Sequence, residues 1–112
     1  MNIHKDLLNK VCVACEGGVQ PFDHLKAEEY MSEVFGWVLS EDIKKIFKKY
    51  IFKDFKEAMT FVNHVADIAE SEGHHPDIYI YYNKVTLDLT THAINGLSEN
   101  DFIVATKVDS VK

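Results

Sequence analysis

Apolar residues recur along this chain with two different periods, and the periods sort it into helices and strands. After Asp54, the residues Ala58, Phe61, Val62, Val65 and Ala69 follow steps of three and four, which places them on one stripe of an α-helix. Asp54 can cap its first turn, Glu57 three residues on supplies a variant of the capping box, and Gly73 closes the element. From residue 76 to 92 the period drops to two, and the pattern predicts a β-hairpin with Asn83-Lys84 at its tip. With that tip Tyr82 faces Val85, Ile80 faces Leu87 and Ile78 faces Leu89, an apolar side. Tyr81 with Thr86, Tyr79 with Asp88 and Asp77 with Thr90 form the other, polar and aromatic side. A one-residue slip would turn every leucine onto the polar side, so the pattern favours this register. Continued, the ladder sets His75 opposite His92, with Cβ atoms about 5 Å apart.

The other elements are read the same way. A first helix is expected over residues 25 to 35, capped by Asp23 and followed by Gly36. Trp37-Val38-Leu39 reads as a short strand, and residues 46 to 53, rich in aromatic and β-branched side chains, as a second. A last helix starts at Ser98 and carries Phe102, Ala105, Val108 and Val111 along one side. The order α-β-β-α-β-β-α, with short turns between paired strands, implies an α+β fold. It is expected to be a four-stranded antiparallel sheet with three helices packed on one face. Residues 1–22, interrupted by Gly17-Gly18 and Pro21, read as an amino-terminal extension to a domain spanning residues 23–112.

Composition narrows the function. The chain has 112 residues, and 46% of them are hydrophobic and 12% aromatic, enough for the core of one domain. A net charge of -6 with mixed signs argues against binding a nucleic-acid backbone. The densest basic stretch, Lys44, Lys45, Lys48, Lys49, Lys53 and Lys56, alternates with Ile46, Phe47, Tyr50 and Phe52 and reads as the solvated face of a strand. No apolar run approaches the roughly 18 residues of a membrane span. The first residues lack a signal peptide's apolar block, so the expected location is the cytoplasm, with Cys12 and Cys15 reduced. Cys12-Val13-Ala14-Cys15 has the spacing of half a zinc site, but no second half follows, and no βαβ context supports a redox role.

The candidate chemistry lies in His74, His75 and His92, three of six histidines, at the two ends of the predicted hairpin. Imidazole gives and takes protons near neutral pH. Pro76 cannot donate to a ladder, so His74-His75-Pro76 looks like a strand entrance where both rings can line one mouth. Asp101, in the first turn of the last helix, can cap that helix from the Ser98-x-x-Asp101 pattern, orient an imidazole, or do both. His4, His24 and His64 read as surface or core residues. Trp37 and Tyr79 read as core or sheet-face residues, though either could flank a flat ligand. Three histidines could hold a catalytic zinc, but adjacent His74 and His75 make a facial set awkward, so metal-free acid–base chemistry is favoured.

These residues resemble the pterin-4a-carbinolamine dehydratase family. The likeness rests on Glu70-x-x-Gly73-His74-His75-Pro76, Tyr82-Asn83-Lys84-Val85, Thr91-His92 and Gly96-Leu97-Ser98-Glu99-Asn100-Asp101, with Gly36-Trp37 and Phe52-Lys53-Asp54-Phe55 upstream. It runs from about residue 23 to 111. The resemblance implies dehydration of 4a-hydroxytetrahydropterin to quinonoid dihydropterin, recycling the pterin that aromatic amino acid hydroxylases use. It also implies no metal or organic cofactor, and assembly as a homodimer or homotetramer. By resemblance His74 and His92 are the acid–base pair and His75 and Pro76 contact the pterin. Asp101 orients His92, and Glu70 supports the site. Gly73 stands where some relatives carry an acidic residue. The alternative implied by animal relatives is a binding module, a dimerisation cofactor of a transcription factor.

Overall fold

The structure, a computed structural model, describes residues 5–13 and 19–112. Its elements are α1 (His24–Met31), β1 (Val38–Leu39), β2 (Ile46–Ile51), α2 (Phe55–Glu72), β3 (Asp77–Tyr81), β4 (Lys84–Leu89) and α3 (Glu99–Ser110), with single 3-10 turns at Leu7–Asn9 and His92–Ile94. The strands form one antiparallel sheet in the order β1-β2-β4-β3. This is the expected α+β architecture. Among the described residues no helix is long and apolar enough to cross a membrane.

The sheet buries one side. Ile46 and Tyr50 of β2 and Val85, Leu87 and Leu89 of β4 alternate onto it and are all at most 2% exposed. Against them pack Ala58, Phe61 and Val65 of α2, with Val62 partly buried beside them; Ala69, the last residue of the stripe read from the sequence, is buried as well. On the opposite side Lys49, Ile51, Tyr79 and Tyr81 stay exposed.

The hairpin register differs from the expected one. The turn residues are Tyr82 and Asn83, so Tyr81 pairs with Lys84, Ile80 with Val85 and Ile78 with Leu87. Asn83 is taken by another partner: its Nδ2 donates to Phe52 O at 2.9 Å while Phe52 N donates to Asn83 O at 2.8 Å. Tyr82 accepts φ +52° beside it, its ring stacked on Phe55. Partners thus move by two residues, and because faces alternate with period two every side chain keeps its side. The ladder stops at Asp77 and Asp88, so His75 is not a cross-strand neighbour of His92.

Three further elements are shorter or differently used. α1 ends at Met31 rather than at residue 35. Glu33 N donates to Tyr30 O and Val34 N to Met31 O, and these tighter turns swing Val34 and Trp37 into the core while Phe35 stays outside. β1 begins after Trp37, and β2 ends at Ile51, where Phe52 leaves the ladder for Asn83. Lys48 departs from the solvated lysine face: it points inward, and its Nζ donates to Asp109 Oδ1 and Phe35 O, each at 3.0 Å.

Asp109, near the end of α3, ties that helix to the sheet. Besides Lys48 it accepts from Tyr50 OH at 2.5 Å and from Trp37 Nε1 at 2.9 Å. Burial and the Asp109 bond push the Tyr50 hydroxyl well above its ordinary pKa, so it remains a donor. Asp109→Ala would strand three donors, two on nearly buried rings. The expected loss of stability is about 2–4 kcal/mol, with Asp109→Asn losing less, read from guanidinium denaturation midpoints.

Candidate active site

Two chain reversals build the site. Gly73 caps α2 in the left-handed region at φ +65°, and its N–H and that of His74 both return to Ala69 O. No side chain would clash there, so it is the backbone angle that asks for glycine. The reversal carries His74 back against the start of α3. The second reversal follows β4, where Thr91 and Gly96 pair as an isolated bridge around the turn His92–Ile94. A Cβ on Gly96 would lie 2.5 Å from Pro21 Cβ, so this loop closes only around a glycine.

Asp101 stands where these segments meet. It is fully buried. Its Oδ1 lies 2.6 Å from His74 Nε2, and its Oδ2 accepts from Thr91 Oγ1 at 2.8 Å and from Ser98 N at 3.0 Å. Ser98 Oγ, 2.8 Å from Thr91 Oγ1, can donate to it in turn. A carboxylate only accepts, so the His74 proton sits on Nε2 and leaves Nδ1 as the acceptor nitrogen. The helix role expected of Asp101 is present, since Ser98 N is the cap donor. Its imidazole partner is not His92 as the resemblance implied but His74. The left-handed turn at Gly73 delivers His74 to α3, whereas His92 leaves the ladder on an exposed 3-10 turn.

His75 is 58% exposed, with Nε2 2.5 Å from Glu70 Oε2 on the last turns of α2. His74, His75 and His92 nevertheless line one cleft of about 440 Å³, whose wall also includes Thr90, Thr91 and Ala93. A cleft of this volume is in the range that takes small organic ligands. Asp101 lies behind that wall, and neither Glu70 nor Pro76 belongs to it. Trp37 is in the core on Asp109, and Tyr79 is on the open side of the sheet, so neither flanks the cleft.

Several contributors carried little signal in the sequence. Thr91 was visible only as the neighbour of His92. Glu72, Asn100 and Val13 also line the cleft. Glu72 accepts from Lys107 Nζ at 2.7 Å and from Cys12 N at 2.8 Å, which fixes the end of α2 to α3 and to the amino-terminal segment. Cys12 is half-buried, and burial, then the Glu72 charge, push its thiol up to about 12, away from thiolate chemistry. Cys15 and His4 lie outside the described residues. Among the described residues no three His, Cys, Asp or Glu side chains group as a metal site.

Comparison with known proteins agrees with this fold. The family model for pterin 4 alpha carbinolamine dehydratase matches residues 20–111. A relative from Halorhodospira halophila, named provisionally a pterin-4-alpha-carbinolamine dehydratase, is 45% identical over 94% of this chain and 96% of its own. One from Nitrosospira multiformis with the same provisional name is 46% identical over 95% and 92%. Among solved structures, a transcriptional coactivator/pterin dehydratase from Brucella melitensis aligns with TM-score 0.78 and 30% identity, covering 82% of this chain and 98% of that one. A pterin dehydratase-like protein described as a RuBisCO assembly factor shares the fold, with TM-score 0.59 and 22% identity over 68% and 88%. This is an α+β protein with a histidine-lined cleft at one end of its sheet. The chain belongs to the pterin-4a-carbinolamine dehydratase family.

The Glu72 bonds give a pH signature. The Lys107 ammonium, then the Cys12 N–H, hold its carboxyl below the ordinary 4.5. A depressed folded-state value adds stability that is complete above 4.5 and fades as pH falls through the lower folded value. The melting temperature should therefore drop as pH falls below 4.5. Glu72→Gln should lower stability at pH 7 and flatten that acid slope, as followed by calorimetry across that range.

Proposed function

We propose that this chain catalyses loss of water from a 4a-hydroxytetrahydropterin, giving the quinonoid dihydropterin. The observation that carries this is the shared cleft of His74, His75 and His92, with His74 held by a buried carboxylate. In the reaction the C4a–O bond breaks and the oxygen leaves as water after taking a proton. The N5–H proton goes to a base, and a C4a=N5 double bond forms. His74, with its proton on Nε2 toward Asp101, presents Nδ1 as the base, and the carboxylate steadies the imidazolium that results. His92, bonded to no carboxylate among the described residues, supplies the proton to the leaving oxygen, and solvent in the open cleft returns it. His75, braced by Glu70, contacts the pterin at the rim, and Pro76 shapes the turn beneath it. The reading includes a role in recycling the pterin of an aromatic amino acid hydroxylase, in the cytoplasm, as a homodimer or homotetramer. Neither metal nor organic cofactor takes part.

A non-catalytic reading has one point in its favour: the Brucella relative is described as a transcriptional coactivator as well as a pterin dehydratase. One assay separates the two. Freshly generated 4a-hydroxytetrahydropterin is followed by its ultraviolet decay with and without protein. A catalyst accelerates the decay, and His74→Ala and His92→Ala each lose about 100-fold or more of that acceleration. Asp101→Asn keeps the shape of the buried group and loses roughly tenfold to 100-fold, since its amide no longer selects the His74 tautomer. Decay unchanged by the wild-type chain would leave the binding module.

A further inference from the structure

One described residue in the wall of the histidine cleft precedes the first helix of the domain. Val13 lines it from the amino-terminal segment and is 70% exposed. An apolar group left in water at the mouth of a cleft gains free energy when a ligand covers it. The backbone that presents Val13 is fastened at Cys12 and at Val13 itself. Val13 N donates to Asn100 Oδ1 at 3.1 Å, and Asn100 Nδ2 donates back to Val13 O at 2.7 Å. Cys12 N donates to Glu72 Oε1 at 2.8 Å, and Lys10 Nζ pairs with Glu99 at 2.9 Å. Asn100 is only 5% exposed, so its amide pairs with Val13 out of water, as one side chain imitating a strand partner. Asn100 directly precedes Asp101, and Glu72 stands two residues before His74. The two helix ends that set the His74–Asp101 pair therefore also set where Val13 stands.

We infer that Val13 is a substrate-contacting residue of this cleft, packing on the pterin ring system, and that Asn100 is the positioning residue that holds it there. The inference rests on the proposed dehydratase reading and deepens it. Van der Waals contact with a rigid ring is made equally before and during C4a–O cleavage. It therefore belongs to binding and not to the chemical step.

The test uses the full chain and two readouts: steady-state dehydration, and quenching of the fluorescence of an oxidised pterin that lacks the 4a-hydroxyl. Val13→Ala, a change at an exposed position, should raise KM and weaken oxidised-pterin binding by roughly threefold to tenfold, with kcat nearly constant. Asn100→Asp retains the acceptor for Val13 N but removes the donor to Val13 O, and should raise KM similarly. The double variant should be no worse than the poorer single one, because a released strap no longer presents residue 13. An unchanged KM in Val13→Ala, a loss confined to kcat, or additive effects in the double variant would overturn the inference while the dehydratase reading stands. A wild-type chain that neither speeds the decay nor quenches the pterin would overturn both.

Discussion

The buried carboxylate of Asp101 is the constraint around which the histidine-lined end of the molecule is arranged. An ionised group with no access to water costs several kcal/mol unless donors surround it. Here the donors come from three places: the exit of α2 through His74, the exit of β4 through Thr91, and the start of its own helix through Ser98 N. Satisfying that group fixes how three otherwise separate segments converge. The left-handed Gly73, the Thr91–Gly96 bridge and the tight fit of Gly96 on Pro21 are the backbone terms of the same solution. Among the described residues no buried side-chain nitrogen or oxygen is left without a partner.

That arrangement divides the imidazoles into two kinds. His74 is 12% exposed and locked by a short bond, so its ring plane and tautomer are fixed before any ligand arrives. His75 and His92 stand in the open cleft and can adjust to what enters. A fixed ring beside two adaptable ones suits a flat, polar heterocycle.

Much of the fold could be read in the pattern of residues because sheets and helices enforce their periods. The α2 stripe, its Asp54 cap and its Gly73 stop were all visible. The hairpin faces were right even though the turn lies at Tyr82-Asn83, since a two-residue shift leaves alternation intact. What escaped depends on contacts between distant segments. Asn83 shifts the turn because Phe52, 31 positions away, needs its amide. Lys48 turns inward because Asp109 waits there. Asp101 chooses His74 over His92 because of a single positive φ at Gly73 and because β4 ends before the ladder reaches His92. No local spacing encodes such choices. The three histidines expected to meet do line one cleft, while Asp101 bonds His74 and not the ring the resemblance implied.

The sequence assigned α3 one apolar side, yet Phe102, Ile103, Val104, Ala105 and Val108 are all buried. The additional cover comes from the turn Leu7–Asn9, which packs on α3 and sends Leu7 into the core at 2% exposure. A helix with so much of its circumference covered has little surface along which it can peel away by itself. Opening it means lifting the amino-terminal segment and breaking the sheet contacts together, so residues on both flanks share one cooperative unfolding event. Because Asp101 begins this helix and Asp109 nearly ends it, the buried carboxylate beside His74 inherits the protection of the whole helix.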